Sequence, residues 1–446
     1  MDAPATVLTV ALFLQLAIAP TYARLQRRFA DPRRRPVRAS SASATPWRPG
    51  VDIIVPCYNE EPLLLASCLA SLRGQDYQGP FHVWVVDDGS DNRADLLPVL
   101  KAVEGSSCSV VLRDRHEGKR EAQAAALFRG RGEILLTVDS DTTIVPDGIS
   151  KIIAPLLDPT LGAVTGSLRV SNLDTWLTRL IQTRYGLLFD KERAAQSHFR
   201  AVLCCAGPFS AYRRSAVESV WSKYVGQRAK KRRVFGDDLE LTNLVLDAGW
   251  GSVYEPMAKA STNVPSNLTH YIQQQIRWNR SFYRELPRML SLLPGRSRYL
   301  AVDLAARTLM PVLVAVGLAS TVIDVMQAPE RLPWDAGALA LMGLASLGLV
   351  PSPSTADGRR FILLYGLVFI VVLLPTRLWA ACTCMLFKHQ WRTRDRRRRR
   401  SRTGTSKQSL RPALPDLASL LLVEDDRPVQ LPAGFAAAAT QQEDLG

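Results

Sequence analysis

The stretch Val83-Trp84-Val85-Val86-Asp87-Asp88-Gly89-Ser90 decides the fold of this chain. Its β-branched and aromatic first half predicts a short strand, and the acidic second half marks the carboxyl end of that strand. Val51-Asp52-Ile53-Ile54-Val55, which ends at Pro56, and Ile134-Leu135-Leu136-Thr137-Val138, which ends at Asp139-Ser140-Asp141, have the same character. We therefore expect several strands whose polar residues follow at the same end.

Segments with helical apolar spacing separate these strands. They are predicted at Glu60 to Leu72, Ala94 to Val103 and Lys119 to Arg129, and a further strand is predicted at Ser109 to Leu112. Alternating strands and helices predict an α/β domain with a parallel sheet. Ligands of such sheets bind beyond the carboxyl ends of the strands, so both acidic clusters are expected in one crevice.

The apolar residues are unevenly distributed over the 446 residues, which carry a formal net charge of +15. The first apolar span, Ala3 to Ala23, is followed by a cluster of arginines. A cleaved secretory signal carries its positive charge before the apolar core, so we predict an uncleaved anchor whose amino terminus faces outward. A polar region then precedes three further apolar segments, at residues 309–323, 336–350 and 361–374. The polar region is therefore predicted to be cytosolic, in a multi-pass protein of the plasma membrane.

The basic residues constrain the number of crossings but leave it open. Arg359-Arg360 and the tail from Arg392 to Arg402 are expected inside, which requires an even number of crossings after the cytosolic domain. Two crossings and a re-entrant hairpin broken at Pro375 meet that requirement. The predicted organisation is an anchor (1–23), a basic linker (24–46), a cytosolic domain with interfacial helices (47–293), membrane and re-entrant segments (294–390), and a basic, then disordered tail (391–446).

The basic tail predicts attraction to anionic membrane lipids rather than to nucleic acid, because it directly follows a membrane segment and no nucleic-acid fold signature accompanies it. Amphipathic helices are predicted at Leu173 to Leu188 and Asn267 to Leu286, which either pack on the sheet or lie on the membrane surface. The seven cysteines are expected to remain without disulfides, since most belong to cytosolic or membrane parts.

The acidic clusters each allow more than one interpretation. Asp139-Ser140-Asp141 can hold Mg²⁺ or Mn²⁺ bridged by a nucleotide diphosphate, but such tripeptides are also common on solvated turns. Asp87-Asp88-Gly89-Ser90 alone is compatible with a turn in which Gly89 has a positive φ. Asp237-Asp238 either caps a helix with a favourable dipole interaction or forms a close pair that prepares a base.

The stretch Gln274-Gln275-Ile276-Arg277-Trp278 contains a Q-x-x-R-W pattern. The Arg277 guanidinium can bridge a diphosphate through two hydrogen bonds. The Trp278 indole offers a flat apolar face to a pyranose ring. Together with the upstream carboxylates, this pattern points to the synthesis of a sugar polymer.

Over about residues 50 to 290, the chain resembles the processive family 2 glycosyltransferases. The motifs that carry this resemblance, in order, are Val55-Pro56-Cys57-Tyr58-Asn59-Glu60, the Asp87 cluster, Gly118-Lys119-Arg120, the Asp139 cluster, the Asp237 pair and Gln274-x-x-Arg277-Trp278. The chain is similar to hyaluronan synthases and nodulation chitooligosaccharide synthases in Glu192 to Ser197, in Cys205 to Pro208 with Tyr212-Arg213-Arg214, and in Trp278 to Glu285. The resemblance implies a Rossmann-like nucleotide-diphosphosugar transferase domain of glycosyltransferase A type, with amino- and carboxyl-terminal transmembrane helices.

The resemblance also implies roles for matched residues. Asp238, beside Asp237, would be the catalytic base, and Arg277 would neutralise charge on the departing diphosphate. Asp141, with Asp139, would hold Mg²⁺ or Mn²⁺. The donor-binding residues would be Pro56, Asn59, Glu60, Asp88, Lys119, Asp139, Gln274, Arg277, Trp391 and Arg394. The acceptor-binding residues would be Cys205, Gly207, Pro208 and Trp278, although Cys205 can equally be a small buried apolar residue.

The chain departs from the family pattern at three places. Arg392 replaces a glycine in Trp391-Arg392-Thr393-Arg394, and Leu239-Glu240 stand where the family usually has arginine and often histidine. The single amino-terminal span is more similar to that of the chitooligosaccharide enzymes.

Our leading prediction is a membrane-embedded, inverting, processive β-glycosyltransferase. It would use UDP-N-acetylglucosamine (UDP-GlcNAc) and also UDP-glucuronate (UDP-GlcA) to extend and export a hyaluronan-like polysaccharide, so its partners would be these donors and the nascent chain. The alternative uses UDP-GlcNAc alone and makes chitin-like oligomers. A second alternative is a degenerate membrane protein that binds sugar nucleotides or polysaccharide without catalysis, and a lipid-directed single-sugar transferase is a further one.

Overall fold

The computed structural model describes residues 3–31, 47–229, 236–331, 333–337 and 365–385. Several predictions lie outside these residues. They are the Trp391 and Arg394 site residues, the Arg392 departure, the tail, most of the apolar segment at 336–350 and most of the basic linker.

An eight-stranded sheet forms the centre of the domain, in the order β3-β2-β1-β4-β7-β6-β8-β5. The strands are β1 (Val51–Cys57), β2 (Phe81–Asp87), β3 (Cys108–Leu112), β4 (Ile134–Val138), β5 (Thr142–Ile144), β6 (Leu161–Val170), β7 (Phe209–Arg213) and β8 (Gly251–Thr262). The four predicted strands are confirmed as β1 to β4, and they are parallel.

The prediction of an entirely parallel sheet was wrong for the other half. β7 runs antiparallel to both β4 and β6, and β5 runs antiparallel to β8. β6 and β8 are parallel to each other but contain many small and polar residues, as in Leu161-Gly162-Ala163-Val164-Thr165-Gly166-Ser167. They therefore lack the continuous apolar run by which the first four strands are recognised.

The helices are α1 (Ala3–Ala30), α2 (Pro62–Arg73), α3 (Arg93–Val103), α4 (Lys119–Leu127), α5 (Gly148–Ile153), α6 (Trp176–Leu187), α7 (Ala194–His198), α8 (Arg214–Ala229), α9 (Asp237–Asp247), α10 (Leu268–Ser291), α11 (Arg298–Gln327) and α12 (Tyr365–Thr383). A π-helical turn, Leu188–Arg193, joins α6 to α7. The helices predicted between the first four strands are confirmed as α2, α3 and α4.

The core lies on both faces of the parallel half of the sheet. Ile53, Val85 and Leu136 are fully buried, as apolar strand residues covered by helices on both faces must be. α6 buries Leu180 and Ile181 in the same core, whereas Trp176 in its first turn is 51% exposed. The apolar stripe of this helix thus packs on the domain, which is the first of its two predicted interpretations.

Three helices are long and apolar enough to cross a membrane, namely Thr6–Ala30, Arg298–Gln327 and Tyr365–Thr383. α1 continues through Pro20 to Ala30, past the predicted boundary at residue 23. The predicted break at Pro375 was wrong, because α12 is continuous there. A π-helical turn, Phe369–Leu373, precedes Pro375 and places it in the first turn of the following α-helical segment, where a missing N–H is tolerated.

Candidate active site

The predicted donor side of the site, which we call the donor side, begins at Asp88, directly after β2. This residue is 2% exposed, and its carboxylate accepts hydrogen bonds from the Gly118 N–H at 2.6 Å and from Arg113 Nη1 at 2.7 Å. His116 Nδ1 lies 2.8 Å from the same carboxylate, and its ring stacks on Tyr58 with centroids 3.7 Å apart. Burial raises the pKa of Asp88, although these donors oppose that effect. The residue is therefore more than part of an exposed turn.

The second acidic cluster lies nearby, after β4. Lys119, the first residue of α4, forms an ion pair with Asp139. Burial opposes the charge of this lysine, yet Asp139 and two further aspartates raise the pKa of Lys119 above its ordinary value. The buried Glu60 accepts a hydrogen bond from Ser140 Oγ at 2.6 Å, which ties the loop after β1 to the loop after β4. Because Gly118 donates to Asp88 and the next residue, Lys119, pairs with Asp139, the two acidic clusters lie close together, as predicted.

Smaller predicted residues complete this side. Asn59 has a φ of 49° and accepts a hydrogen bond from the Asp91 N–H at 2.7 Å, so it orders the loop next to the Asp88 turn. Pro56 belongs to β1, and the Pro208 carbonyl oxygen accepts a hydrogen bond from the Asp139 N–H at 3.4 Å. Gly89 has the positive φ that its position predicts, 73°.

Asp141 is the remaining carboxylate of the D-x-D pattern. It is partly exposed, and its Oδ1 accepts a hydrogen bond from Thr262 Oγ1 at 3.3 Å. In the described part of the chain no group of three or more histidine, cysteine or acidic residues has the arrangement of a metal site. This donor set suits a cation that takes one or two ligands from the protein and the others from phosphate and water.

Asp238 stands at the start of α9 and faces the donor side. Its Oδ2 lies 3.3 Å from the Gly207 N–H nitrogen and 3.8 Å from Cys204 Sγ. A Cβ placed on Gly207 would lie 2.7 Å from Lys119 Nζ and 3.9 Å from Asp238 Cβ. Asp139, Lys119, Gly207 and Asp238 therefore form one contiguous surface, on which a diphosphate and an attacking hydroxyl can meet.

Asp237 points away from this surface and into a buried ion-pair cluster. Arg120 donates to Asp237 Oδ1 at 2.8 Å and to Glu240 Oε2 at 2.6 Å. The same guanidinium donates to the Tyr224 carbonyl oxygen at 2.8 Å and lies 4.1 Å from the centre of its ring. Burial raises the pKa of Asp237, the Arg120 charge opposes this, and the Asp238 charge adds to it. Asp237 is thus held by Arg120 beside Asp238, and the catalytic role of either carboxylate stays a prediction.

The role of Arg120 and Glu240 was missed by the sequence analysis, which treated Glu240 as the loss of a positive charge. The side chains show why this departure is accommodated: Glu240 is 1% exposed and paired with Arg120. A buried acidic residue in a helix that follows an acidic pair was the available signal, since such a residue needs a cationic partner.

Of the two interpretations of Cys205, its burial favours the small buried residue, and a role in acceptor binding stays a prediction. Cys205 is fully buried, and its N–H donates to Thr242 Oγ1 at 2.9 Å. Its neighbour Cys204 is partly exposed and presents its thiol to Asp238. Adjacent residues of an extended segment face opposite sides, so only one of the two thiols can reach the site.

The Q-x-x-R-W residues lie on α10, which contacts the start of α9. A Cβ on Gly236 would lie 2.6 Å from Ser281 Oγ, so α10 passes directly beside the residue before the Asp237 pair. Gln274, Arg277 and Trp278 belong to this helix, and Trp278 is 42% exposed. Their binding roles stay predictions.

We expect Gly207→Ala to fold normally and to lose about 10- to 100-fold in kcat/KM, because a shift of about 1 Å in a positioned group has effects of this size. The added methyl group pushes the flexible end of Lys119 away from Asp139, and steady-state kinetics with varied donor would measure the loss. Gly105→Ala is the matched control, since a Cβ there meets nothing within 4 Å. Wild-type kinetics in the Gly207 variant would contradict this account of the surface.

Comparison with known proteins agrees with this geometry. A model of the family described as "Glycosyltransferase like family 2" matches residues 49–281. An N-acetylglucosaminyltransferase of Sinorhizobium fredii is 38% identical over 405 residues, which cover 88% of this chain and 96% of that protein. An N-acetylglucosaminyltransferase of Rhizobium sp. strain N33 is 39% identical over 400 residues, which cover 88% of this chain and 88% of that protein.

A solved structure has the same fold. The mannosyltransferase PcManGT from Pyrobaculum calidifontis, in complex with GDP-Man and Mn²⁺, has a TM-score of 0.60 and 20% sequence identity, and the match covers 86% of this chain and 98% of that one. The predicted glycosyltransferase A type fold with terminal apolar helices is thereby confirmed. The chain belongs to the family 2 glycosyltransferases.

Proposed function

We propose that the chain transfers N-acetylglucosamine from UDP-GlcNAc to a hydroxyl of a growing β-linked N-acetylglucosamine oligomer. The observation that carries this proposal is the contiguous surface of Asp139, Lys119, Gly207 and Asp238, where a cationic donor side meets a carboxylate base. The sugar is proposed from the names of relatives that are 38% and 39% identical over most of this chain.

In this mechanism Asp238 accepts the proton of the acceptor hydroxyl. The hydroxyl oxygen forms its bond to the anomeric carbon as the bond to the diphosphate breaks, so an α-linked donor gives a β-linked product in one displacement. The bonding electron pair leaves with the diphosphate. Lys119 and Arg277 stabilise the charge that develops there, an electrostatic task that is usually the largest single contribution to catalysis. Asp88 holds the nucleotide, and Trp278 stacks on the acceptor sugar.

Asp141 and Asp139 are the residues proposed to hold Mg²⁺ or Mn²⁺. Such an ion supplies Lewis-acid stabilisation of the departing diphosphate. Because the described residues offer few ligands, we expect the ion to bind appreciably only together with the nucleotide.

The membrane arrangement is part of the proposal. Three helices have the length and composition of membrane spans, and a cluster of arginines that includes Arg27 and Arg28 follows at the end of the first. This asymmetry supports a cytosolic catalytic domain in a multi-pass plasma-membrane protein. The predicted division of the chain and the attraction of its basic tail to anionic lipids belong to the same proposal.

A hyaluronan-like product made from UDP-GlcNAc and UDP-GlcA is the second candidate. The string Trp278 to Glu285, which is more similar to hyaluronan synthases, favours it. A degenerate binding protein is disfavoured, because Asp88, Asp141 and Asp238 are all present and Glu240 has its own partner in Arg120.

The test is an assay of the full chain in detergent with Mg²⁺ or Mn²⁺. UDP release and labelled product are measured with UDP-GlcNAc alone, with UDP-GlcA alone and with both. Chitinase-sensitive product from UDP-GlcNAc alone supports the proposal. Hyaluronidase-sensitive product that needs both donors supports the second candidate, and nucleotide binding without turnover of either donor would overturn both.

A further inference from the structure

A chain of buried hydrogen bonds runs from the membrane helix α11 to the catalytic helix α9. Asp303 of α11 accepts a hydrogen bond from Gln196 Nε2 at 2.8 Å, and Gln196 Oε1 accepts one from the Leu203 N–H at 3.2 Å. The Leu203 carbonyl oxygen accepts one from Asn243 Nδ2 of α9 at 3.2 Å. Asp303, Gln196, Leu203 and Asn243 are all at most 3% exposed. We call these four residues the relay.

The relay has only one consistent orientation. A carboxylate can only accept hydrogen bonds, so Asp303 requires the NH₂ group of Gln196 on its side. The carbonyl oxygen of that amide must then face the opposite direction, where it meets the Leu203 N–H. The acceptor oxygen of Asp303 thereby determines how the Leu203 N–H is held. No water can compensate easily, since the four residues are buried.

Further contacts fix Asp303 itself. The Tyr22 hydroxyl of α1 donates to its Oδ1 at 2.5 Å, and Arg307 Nε lies 3.1 Å from its Oδ2. Arg307 also pairs with Glu192 at 2.8 Å, in the π-helical turn that leads to Gln196. Burial opposes ionisation of Glu192, but Arg307 and Arg184 hold its pKa at about 2. Two apolar helices are thus tied by charges to the segment that forms one side of the site.

We infer that Asp303 is a positioning residue for the acceptor side of the active site, acting through Gln196 on the Leu203-Cys204 segment. This inference rests on the proposed function and extends it. Cys204 is the residue after Leu203, and its thiol lies 3.8 Å from the Asp238 carboxylate. Asn243 donates to the Leu203 carbonyl oxygen, in the peptide that joins Leu203 to Cys204, and belongs to the helix that begins with the Asp237 pair. The distance between the Asp238 carboxylate and the Leu203-Cys204 segment therefore depends on Asp303, a residue of a membrane helix.

The expected consequence is specific to the acceptor. Asp88 and Lys119, on the donor side, have no part in the relay, so donor binding should persist when the relay is disturbed. A displaced acceptor leaves the bound donor open to attack by water. The ratio of donor hydrolysis to sugar transfer should then rise, whereas general loss of folded protein would reduce both reactions equally.

The test reverses the polarity of one hydrogen bond. In Gln196→Glu two carboxylates oppose each other, so this variant disturbs the relay. In Asp303→Asn the amide oxygen can still accept from Gln196 Nε2, so this variant keeps the relay. The double variant Asp303→Asn with Gln196→Glu restores it, because the new amide donates to the new carboxylate, which still accepts from the Leu203 N–H. Its net charge equals that of the wild type. Thr308→Ala is the control on α11, since its hydroxyl bonds within the helix to the Leu304 carbonyl oxygen at 2.8 Å.

We expect Gln196→Glu to raise the hydrolysis-to-transfer ratio by roughly tenfold, with the donor KM within about twofold of wild type, and Asp303→Asn to stay near the wild-type ratio. The double variant should return the ratio to near the wild-type value. The measurement is UDP release compared with labelled product in the detergent-solubilised full chain. Thr308→Ala should leave the ratio unchanged.

A second measurement needs no substrate. Cys204 is partly exposed while Cys205 is fully buried. Burial and the Asp238 charge raise the pKa of the Cys204 thiol, so its alkylation by iodoacetamide is slow and is followed at alkaline pH. The rate at Cys204, located by mass spectrometry, reports the position of this segment relative to Asp238. This rate should change in Gln196→Glu and return in the double variant. If Gln196→Glu matches wild type in ratio and rate, or if the double variant is no better than Gln196→Glu, the inference is overturned. A wild type that transfers no sugar contradicts the proposed function instead, and the alkylation rates still decide the inference.

Discussion

Asp238→Asn is expected to lose sugar transfer by about 10³-fold in kcat, the usual scale for removal of a positioned general base. In the wild type, the Gly207 N–H donates to Asp238 Oδ2 at 3.3 Å. The amide oxygen of the variant can still accept this hydrogen bond, so the loop after Cys204 should keep its position. The side chain can no longer accept the acceptor proton. Transfer from UDP-GlcNAc would be measured as labelled product, and UDP binding by calorimetry.

The matched control is Asp247→Asn at the other end of the same helix. The side chain of Asp247 is 38% exposed, and its Oδ2 lies 3.7 Å from Arg288 Nη1. Asp247 is the last residue of α9, whereas Asp238 lies in its first turn. We expect near-wild-type transfer there and unchanged UDP binding in both variants. Substantial transfer by Asp238→Asn, with loss in Asp237→Asn, would mean that the neighbouring carboxylate is the base.

The parallel half of the sheet could be predicted because each of its strands is a local apolar run that ends at polar residues. The other half could not, since its pairings join distant segments that carry no such signal. Leu161 pairs with Gly251 in the β6 and β8 ladder, and Thr142 pairs with Thr262. Tertiary contacts rather than local propensity decide such strands.

The site divides in the same manner. The acidic clusters could be predicted to converge, because the carboxyl ends of parallel strands share one edge of the sheet. The sequence could not predict which of the two thiols, that of Cys204 or that of Cys205, lies beside Asp238. The answer depends on which face of one short segment meets the core. Arg120 and Glu240 are separated by 120 positions, and their pairing follows only from the packing of α4 against α9.

Arg120→Met is expected to be the most destabilising single change in this region. Removal of the guanidinium leaves the buried Asp237 and Glu240 carboxylates without their cation, which typically costs about 3–5 kcal/mol. For a domain of this size, that loss corresponds to a fall on the order of 10 °C in the unfolding midpoint. Thermal unfolding of the detergent-solubilised chain, followed by tryptophan fluorescence, would measure it.

The double variant Arg120→Met with Glu240→Leu separates the two tasks of this arginine. An apolar pair of similar volume can replace the buried pair of Arg120 and Glu240 at little cost, so we expect part of the lost stability to return. The rest should not return, because the Asp237 carboxylate still lacks the guanidinium that lies 2.8 Å from it in the wild type. For the same reason, transfer should remain well below wild type. Recovery of stability without recovery of transfer would identify Arg120 as a positioning residue for the catalytic pair. If both recover together, Arg120 serves the fold alone, and if neither does, the buried contact with Glu240 is not what stabilises this helix.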